Sequence, residues 1–182
     1  MKLNAPNILT ILRILAIPAL VVILLTPFKG REIAGFSLFL LASLTDMFDG
    51  FLARKNHEVT VFGQLLDPTA DKLLVASVLI CLVQRGVVPA WMAVIIIGRE
   101  IAVTGFRAIA SSKGHHIPAF PLGKVKMILE IVTLCLLILG PGLLGRLYAL
   151  AQVGLWLTII VAVVSGAEYY VRFGPAVLSK DA

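Results

Sequence analysis

Six apolar runs occupy most of the chain, and short polar segments separate them. They cover about residues 8–27, 33–52, 62–84, 88–109, 125–139 and 147–171. An α-helix needs about 20 apolar residues to cross the hydrocarbon core of a bilayer, and helices satisfy their own backbone polar groups there. We therefore predict an all-α, polytopic integral membrane protein, built as a bundle of six transmembrane helices.

The composition agrees with a membrane protein of one domain. Of the 182 residues, 59% are hydrophobic and 14% are charged, whereas a soluble domain has about 45–50% apolar and about 25% charged residues. We predict a single membrane domain over residues 1–182, so that any chemistry takes place among the helices. Cys81 and Cys135 both lie in apolar runs without Cys-x-x-Cys spacing, which indicates small core residues rather than a metal or redox site.

The distribution of basic residues predicts the orientation. The net charge of +6 indicates anionic lipid headgroups as partners and no nucleic acid, since aromatic residues are not interleaved with the basic ones. One side of the predicted bundle carries Lys2, Arg54, Lys55, Lys113, Lys124, Lys126, Arg172 and Lys180, and the other carries Lys29, Arg31, Arg85 and Arg146. Because basic loops face the cytoplasm, we expect both termini on the cytoplasmic side of the inner (plasma) membrane.

Four carboxylates lie between the second and third apolar runs, at Asp46, Asp49, Asp67 and Asp71. A charged side chain at the bilayer costs roughly 2.5–3.5 kcal/mol on insertion scales, and four like charges also repel each other. Asp46 and Asp49 are three residues apart, and Asp67 and Asp71 are four apart, so each pair shares one face of a helix. Two helices joined by a short turn would direct both pairs to one place, where a hard divalent cation would offset the charge.

Four further residues in this stretch fit an anionic ligand. Gly50, Ala53 and Gly63 are small and leave room for close approach, and Arg54 supplies a planar cation suited to phosphate. The pattern Asp-x2-Asp-Gly-x2-Ala-Arg-x8-Gly-x3-Asp-x3-Asp resembles the signature of the CDP-alcohol phosphatidyltransferases. Every fixed position of that signature is present.

The resemblance implies transfer of a phosphatidyl group from CDP-diacylglycerol to an alcohol, with release of CMP. It implies Mg²⁺ or Mn²⁺ held by Asp46, Asp49, Asp67 and Asp71, with Asp71 also as the catalytic base for the attacking hydroxyl. It further implies a homodimer surrounded by membrane lipid. The residues that the resemblance assigns to the CDP-linked donor are Asp46, Asp49, Gly50, Ala53, Arg54, Gly63, Asn7 and Thr10.

A basic rim, defined as Arg107, Lys124 and Lys126, follows the acids in the sequence and predicts a site for the phosphate of the acceptor. The segments 98–101 and 123–126 and the opening 6–13 are similar to the subfamily that uses glycerol 3-phosphate as the acceptor. Met127 stands where that subfamily often has Thr. Inositol phosphate and phosphatidylglycerol are the competing acceptors.

Two alternatives from other classes use some of the same features. A cation transporter would also need intramembrane acids, but it does not need the fixed motif, and we find no inverted repeat. A structural membrane subunit would tolerate loss of Asp71. The ionisable residues inside the runs leave both a helix-pairing role and a catalytic role open, and the ion pairs considered are Arg99 with Glu130 and Arg13 with Glu168.

Overall fold

The computed structural model describes residues 5–56, 61–112 and 121–178. Within these ranges the side chains of residues 5–9, 46–56, 61–68, 121, 122, 124, 173 and 175–178 are not described. The elements are α1 (Ala5–Leu25), α2 (Arg31–Asn56), α3 (Val61–Gln84), α4 (Ala90–Ser112), α5 (Pro121–Leu144), a 3₁₀ turn (Gly145–Leu147) and α6 (Tyr148–Leu178). The described residues contain no strand, so the all-α prediction is confirmed for them.

Each predicted run contains one α-helix, but several helices extend beyond their runs. α2 continues to Asn56 through the acidic motif, and α5 begins at Pro121 rather than near residue 125. The predicted end of the fifth run is marked by Gly140, whose φ of 69° and ψ of 176° interrupt the helical geometry before Pro141. Hydropathy locates the apolar part of a helix. The polar turns at its ends have the same helical backbone but no apolar residues that would reveal them in the sequence.

The six helices form a closed ring. Each helix packs against the next in the order α1, α2, α5, α6, α4, α3, and α3 returns to α1. Two further contacts, α2 with α3 and α3 with α5, cross the ring and bring the two acid-bearing helices together. The α5 and α6 helices approach especially closely at Gly154, where an added Cβ would lie 2.6 Å from Oγ1 of Thr133.

Among the described side chains, the larger apolar cluster lies toward one end of this ring, and a smaller cluster around Ala110 and Tyr169 lies toward the other. The members of the larger cluster come from the ends of α1, α3 and α5 and from the first halves of α2, α4 and α6: Leu20, Leu24, Phe39, Leu79, Leu82, Met92, Leu137, Ile138, Ala151 and Leu155. We call this the core end. Glu32 lies there too, with Oε1 2.8 Å from Nε of Arg31 and 3.5 Å from Nη2 of Arg85. The opposite end, where α2 ends and α3 begins, is the polar end.

The outward surface of the bundle is strongly apolar. Large apolar side chains are more than half exposed on all six helices, including Leu15, Ile80, Val94 and Ile160. Soluble monomers rarely expose such surfaces. Among the described residues, the stretch Val125–Arg172, which covers most of α5 and α6, meets the length and composition needed to cross a membrane, and Thr10–Leu25 is a shorter apolar helix. The fold is therefore consistent with a membrane protein.

Candidate active site

The four motif aspartates lie on adjoining helix ends. Asp46 and Asp49 belong to the last three turns of α2, and Asp67 and Asp71 belong to the first three turns of α3. These two helices contact each other, and four residues separate the end of α2 at Asn56 from the start of α3 at Val61. The fold therefore brings to one end of the bundle the two halves of the motif that are separated in the sequence.

Several predicted site residues have side chains outside the described residues. They are Asn7, Asp46, Asp49, Gly50, Ala53, Arg54, Gly63, Asp67 and Lys124. Their helices are described, and all of them belong to the polar end. Among the described side chains, no group of three or more His, Cys, Asp or Glu residues is close enough to hold a metal, but three of the four motif acids fall outside that search. The predicted donor set consists of carboxylates alone, whose hard oxygen ligands would suit Mg²⁺ or Mn²⁺.

Asp71 lines a cavity of about 230 Å³ at the polar end. Side chains of α3, α4, α5 and α6 contribute to its wall, so four helices define it. The cavity is small beside the roughly 300–1,000 Å³ of sites for drug-sized ligands. Its charged lining residues are the acids Asp71, Glu100 and Glu130 and the bases Lys72, Arg99, Arg107 and Lys126. A small anion is the ligand that this excess of cations favours.

An ion-pair network forms one wall of the cavity. Nζ of Lys126 lies 2.5 Å from Oε1 of Glu100 and 2.6 Å from Oε2 of Glu130. Nη1 of Arg99 lies 2.7 Å from the same oxygen of Glu100, and its Nη2 donates a 2.8 Å hydrogen bond to Oγ of Ser165. The network therefore connects α4, α5 and α6 and holds the side chains of Arg99, Glu100, Lys126 and Glu130 on the cavity wall.

The geometry corrects two expectations about these charges. Glu130 pairs with Lys126 rather than with Arg99, because the i,i+4 spacing on α5 places Lys126 nearer. Glu168 lies 3.9 Å from Arg172, one helical turn away, and not beside Arg13. Nε of Arg13 donates instead to the backbone carbonyl of Ala42, which connects α1 to α2 at 3.3 Å. In the pairs Lys126–Glu130 and Glu168–Arg172, each partner lies four residues along the same helix.

The two residues of the basic rim whose side chains are described differ in their exposure. Arg107 is exposed at the mouth of the cavity. Lys126 is only 2% exposed, because α5 begins five residues before it and carries its side chain into the bundle. An ammonium group has three N–H donors, and two of those of Lys126 are accounted for by Glu100 and Glu130.

Three other polar residues were either predicted at the site or found there in the structure. Thr10, predicted at the donor site, is buried on α1 at 2% exposure. Lys72 and Ser165 were missed from the sequence, yet Lys72 lines the cavity and Ser165 holds Arg99. For Lys72 the available signal was its place beside Asp71. For Ser165 it was a hydroxyl within an apolar run, which more often bonds its own helix backbone.

Comparison with known proteins agrees with the arrangement of the motif. Residues 3–164 match the family described as CDP-alcohol phosphatidyltransferase. The chain belongs to this family. The matched range includes all four motif aspartates and the whole basic rim.

Individual relatives are similar over nearly their whole length. A CDP-diacylglycerol–glycerol-3-phosphate 3-phosphatidyltransferase of Bacillus subtilis is 43% identical over 181 residues, covering 92% of this chain and 93% of the relative. A protein of the same name from Rickettsia bellii is 39% identical with the same coverage. A probable phosphatidylglycerophosphate synthase of Mycobacterium tuberculosis is 38% identical and covers 93% of this chain and 81% of the relative.

Proposed function

We propose that this chain is a CDP-diacylglycerol–glycerol-3-phosphate 3-phosphatidyltransferase, an enzyme of phospholipid biosynthesis that makes phosphatidylglycerophosphate and CMP. The observation that carries the proposal is the complete eight-residue motif on the adjoining ends of α2 and α3, in a chain that matches relatives of that name over 92% of its length. A structural subunit or a cation transporter has no need for this fixed set.

The reaction is a direct displacement at phosphorus. The acceptor's hydroxyl oxygen forms a new bond to the phosphorus that carries diacylglycerol, the bond from that phosphorus to the CMP oxygen breaks, and CMP leaves with the electron pair. Asp71 takes the proton of the attacking hydroxyl. Its position on the cavity wall supports this role, because a base must lie within hydrogen-bond reach of the hydroxyl that it deprotonates.

The donor would lie on the motif face of α2 and α3. Asp46, Asp49, Asp67 and Asp71 would hold Mg²⁺ or Mn²⁺, which when bound offsets negative charge on the donor's phosphates and on departing CMP. Gly50, Ala53 and Gly63 would allow the nucleotide to approach the helices, with Arg54 on a phosphate. Asn7 and Thr10 at the start of α1 would complete the donor site.

The cavity beside Asp71 is the proposed acceptor site. Its volume of about 230 Å³ and its charged lining suit a small phosphorylated alcohol such as glycerol 3-phosphate. Arg107 at the mouth, the remaining N–H of Lys126 and Lys124 on the same helix would bind the acceptor's phosphate by charge-assisted hydrogen bonds. Inositol phosphate remains the competing acceptor of similar charge.

The proposed setting is the inner (plasma) membrane. All six helices would cross it as one domain, because each exposes large apolar side chains and their lengths of 21 to 31 residues suffice for a crossing. The polar end, with both termini, would face the cytoplasm. The phosphorylated acceptor is soluble there, and the CDP-linked donor is supplied from the same side. Two copies of the chain would form a homodimer.

Release of CMP by the purified protein in detergent tests this proposal. CDP-diacylglycerol is supplied with glycerol 3-phosphate, inositol phosphate, phosphatidylglycerol or serine in parallel reactions, each with Mg²⁺, with Mn²⁺ or with a chelator. We expect CMP only with glycerol 3-phosphate and only with a divalent cation, because the small basic cavity selects the acceptor and the carboxylates need the metal.

Each other outcome has a definite meaning. Release with another alcohol alone would retain the carboxylate chemistry and contradict the proposed acceptor. Release in the presence of chelator would contradict the metal. No release with any acceptor, from protein shown to be folded by its thermal unfolding transition, would contradict the enzyme and favour a cation transporter.

A further inference from the structure

Glu130 has one carboxylate oxygen whose role the ion pairs do not explain. The residue is 5% exposed and lies on the cavity wall. Its Oε2 accepts a 2.6 Å hydrogen bond from Nζ of Lys126. Its Oε1 is buried and has no hydrogen-bond partner among the described residues. A buried acceptor without a donor is destabilising, so such a group in a folded protein calls for a ligand or an ordered water molecule.

The surrounding charges hold this oxygen in place before any ligand binds. Lys126 is bound at the same time by Glu130 and by Glu100, at 2.6 Å and 2.5 Å. Glu100 is held in turn by Arg99, which is anchored to α6 through Ser165. The carboxylate of Glu130 therefore cannot rotate freely toward another donor. Fixed polar groups of this kind are the ones that give a binding site its specificity.

The chemistry of Oε1 defines its partner. A carboxylate oxygen accepts hydrogen bonds and repels phosphate, so a ligand group beside it must be an O–H or N–H donor. In the reaction proposed above, the basic rim binds the acceptor's phosphate, and Asp71 takes the proton of the hydroxyl that attacks phosphorus. Glycerol 3-phosphate carries one more hydroxyl, on C2, and this hydroxyl still needs an acceptor in the cavity.

We propose that Oε1 of Glu130 accepts a hydrogen bond from the C2 hydroxyl of the acceptor and so determines which phosphorylated alcohol the enzyme uses. This inference rests on the proposed function and names a specificity-determining residue for it. Asp71 and Glu130 line the same cavity, so that one small molecule would be bound by its two hydroxyls and its phosphate. A site built to bind a hydroxyl rejects the analogue that lacks it, because its own acceptor is then left unpaired.

The experiment compares two acceptors that differ in this hydroxyl alone. Glycerol 3-phosphate is set against 3-hydroxypropyl phosphate, which keeps the phosphate and the primary hydroxyl. The ratio of their kcat/KM values for CMP release is measured for the wild type, Glu130→Ala and Glu130→Gln. The control is Glu168→Gln, which also removes a carboxylate but changes a residue of α6 that is not among the described residues lining the cavity.

We expect the wild type to prefer glycerol 3-phosphate by about tenfold or more, as for a hydrogen bond to a charged group. Glu130→Ala should bring the ratio close to one, mainly through loss of kcat/KM for glycerol 3-phosphate. Glu130→Gln keeps an oxygen for Lys126 and should lower the ratio by less, because a neutral amide replaces the charged acceptor. Glu168→Gln should keep the ratio of the wild type.

A purely structural role for Glu130 predicts a different result. Loss of packing would lower kcat/KM for both acceptors by the same factor and leave the ratio unchanged, and an unchanged ratio in folded Glu130→Gln overturns the inference even if Glu130→Ala does not fold. A wild type that uses both acceptors equally well also overturns it. If the wild type releases no CMP with glycerol 3-phosphate, the proposed function fails as well, so the two failures are distinguishable.

Discussion

At the scale of single residues, Asp71 is the one motif acid whose surroundings are described, and it lies on the cavity wall. We predict that Asp71→Asn lowers kcat by about 10²–10⁴-fold, the usual contribution of a general base. The KM for CDP-diacylglycerol should change much less, since the amide retains an oxygen toward a metal and the other three acids remain. Steady-state CMP release over a range of donor concentrations measures both quantities.

The matched control for this variant is Glu168→Gln, a carboxylate-to-amide change at a residue that lies 3.9 Å from Arg172 on the same helix. It should retain the kcat of the wild type. Full activity in Asp71→Asn would contradict the role of base, and a loss of kcat accompanied by an equally large rise in KM for the donor would reassign Asp71 to donor binding.

For single residues of the site, the sequence predicted their positions but not all of their partners. Asp71 was identified because the motif fixes its spacing, and spacing is visible in a sequence. The positions of Glu100, Lys126 and Glu130 were visible too, but their pairing depends on how α4 and α5 are rotated toward each other. That rotation is set by packing along the whole helices, so the sequence left open whether these charges pair or bind substrate.

At the scale of helices, the contact between α5 and α6 depends on Gly154. An added Cβ would lie 2.6 Å from Oγ1 of Thr133, whereas an added Cβ at Gly98 on α4 meets no atom within 4 Å. The two glycines gain the same helix propensity on change to Ala, roughly 0.5–1 kcal/mol. We predict that Gly154→Ala destabilises the protein by about 1–3 kcal/mol, as overpacking usually does, while Gly98→Ala is neutral or stabilising.

The midpoint of thermal unfolding in detergent measures this difference. Adding Thr133→Ala to Gly154→Ala should raise the midpoint again, because it removes the atoms that the new methyl group meets. Equal shifts in Gly154→Ala and Gly98→Ala would mean that α5 and α6 are not in close contact at this position.

Helix positions were predictable from the apolar runs because burial in a bilayer requires such runs. Helix ends were not. The start of α5 at Pro121 places Lys126 in its second turn and buries it, whereas the apolar run, which begins near residue 125, placed this lysine at the start of the helix. The kink at Gly140 was predictable, since Gly140, Pro141 and Gly142 stand together in the sequence and Pro141 lacks the backbone N–H of a helix interior.

At the scale of the whole molecule, the larger apolar cluster and the cavity lie toward different ends of the ring, as far as the side chains are described. The larger cluster lies toward the core end, and the ion-pair network and cavity lie toward the other, beside the smaller cluster of Ala110 and Tyr169. The alternation of helix direction brings the end of each odd-numbered helix to the beginning of each even-numbered one, so each end combines residues that are far apart in the sequence.

The orientation of this bundle in the membrane gives the last prediction. The basic residues of the polar end outnumber those of the core end, so the polar end should face the cytoplasm. Two exposed hydroxyl residues mark the ends: Ser112 at the end of α4 on the polar side, and Thr26 just after α1 on the core side. The native Cys81 and Cys135 are buried, so a new cysteine should be the main site of reaction with a maleimide.

A membrane-impermeant maleimide applied to intact cells should label Thr26→Cys and leave Ser112→Cys unlabelled, whereas permeabilised cells should show both labelled. Neither substitution changes a charge, so the distribution that sets the orientation is preserved. Labelling of Ser112→Cys in intact cells, alone or together with Thr26→Cys, would contradict the cytoplasmic site, because the cavity, Arg107 and the motif acids all belong to the same end as Ser112.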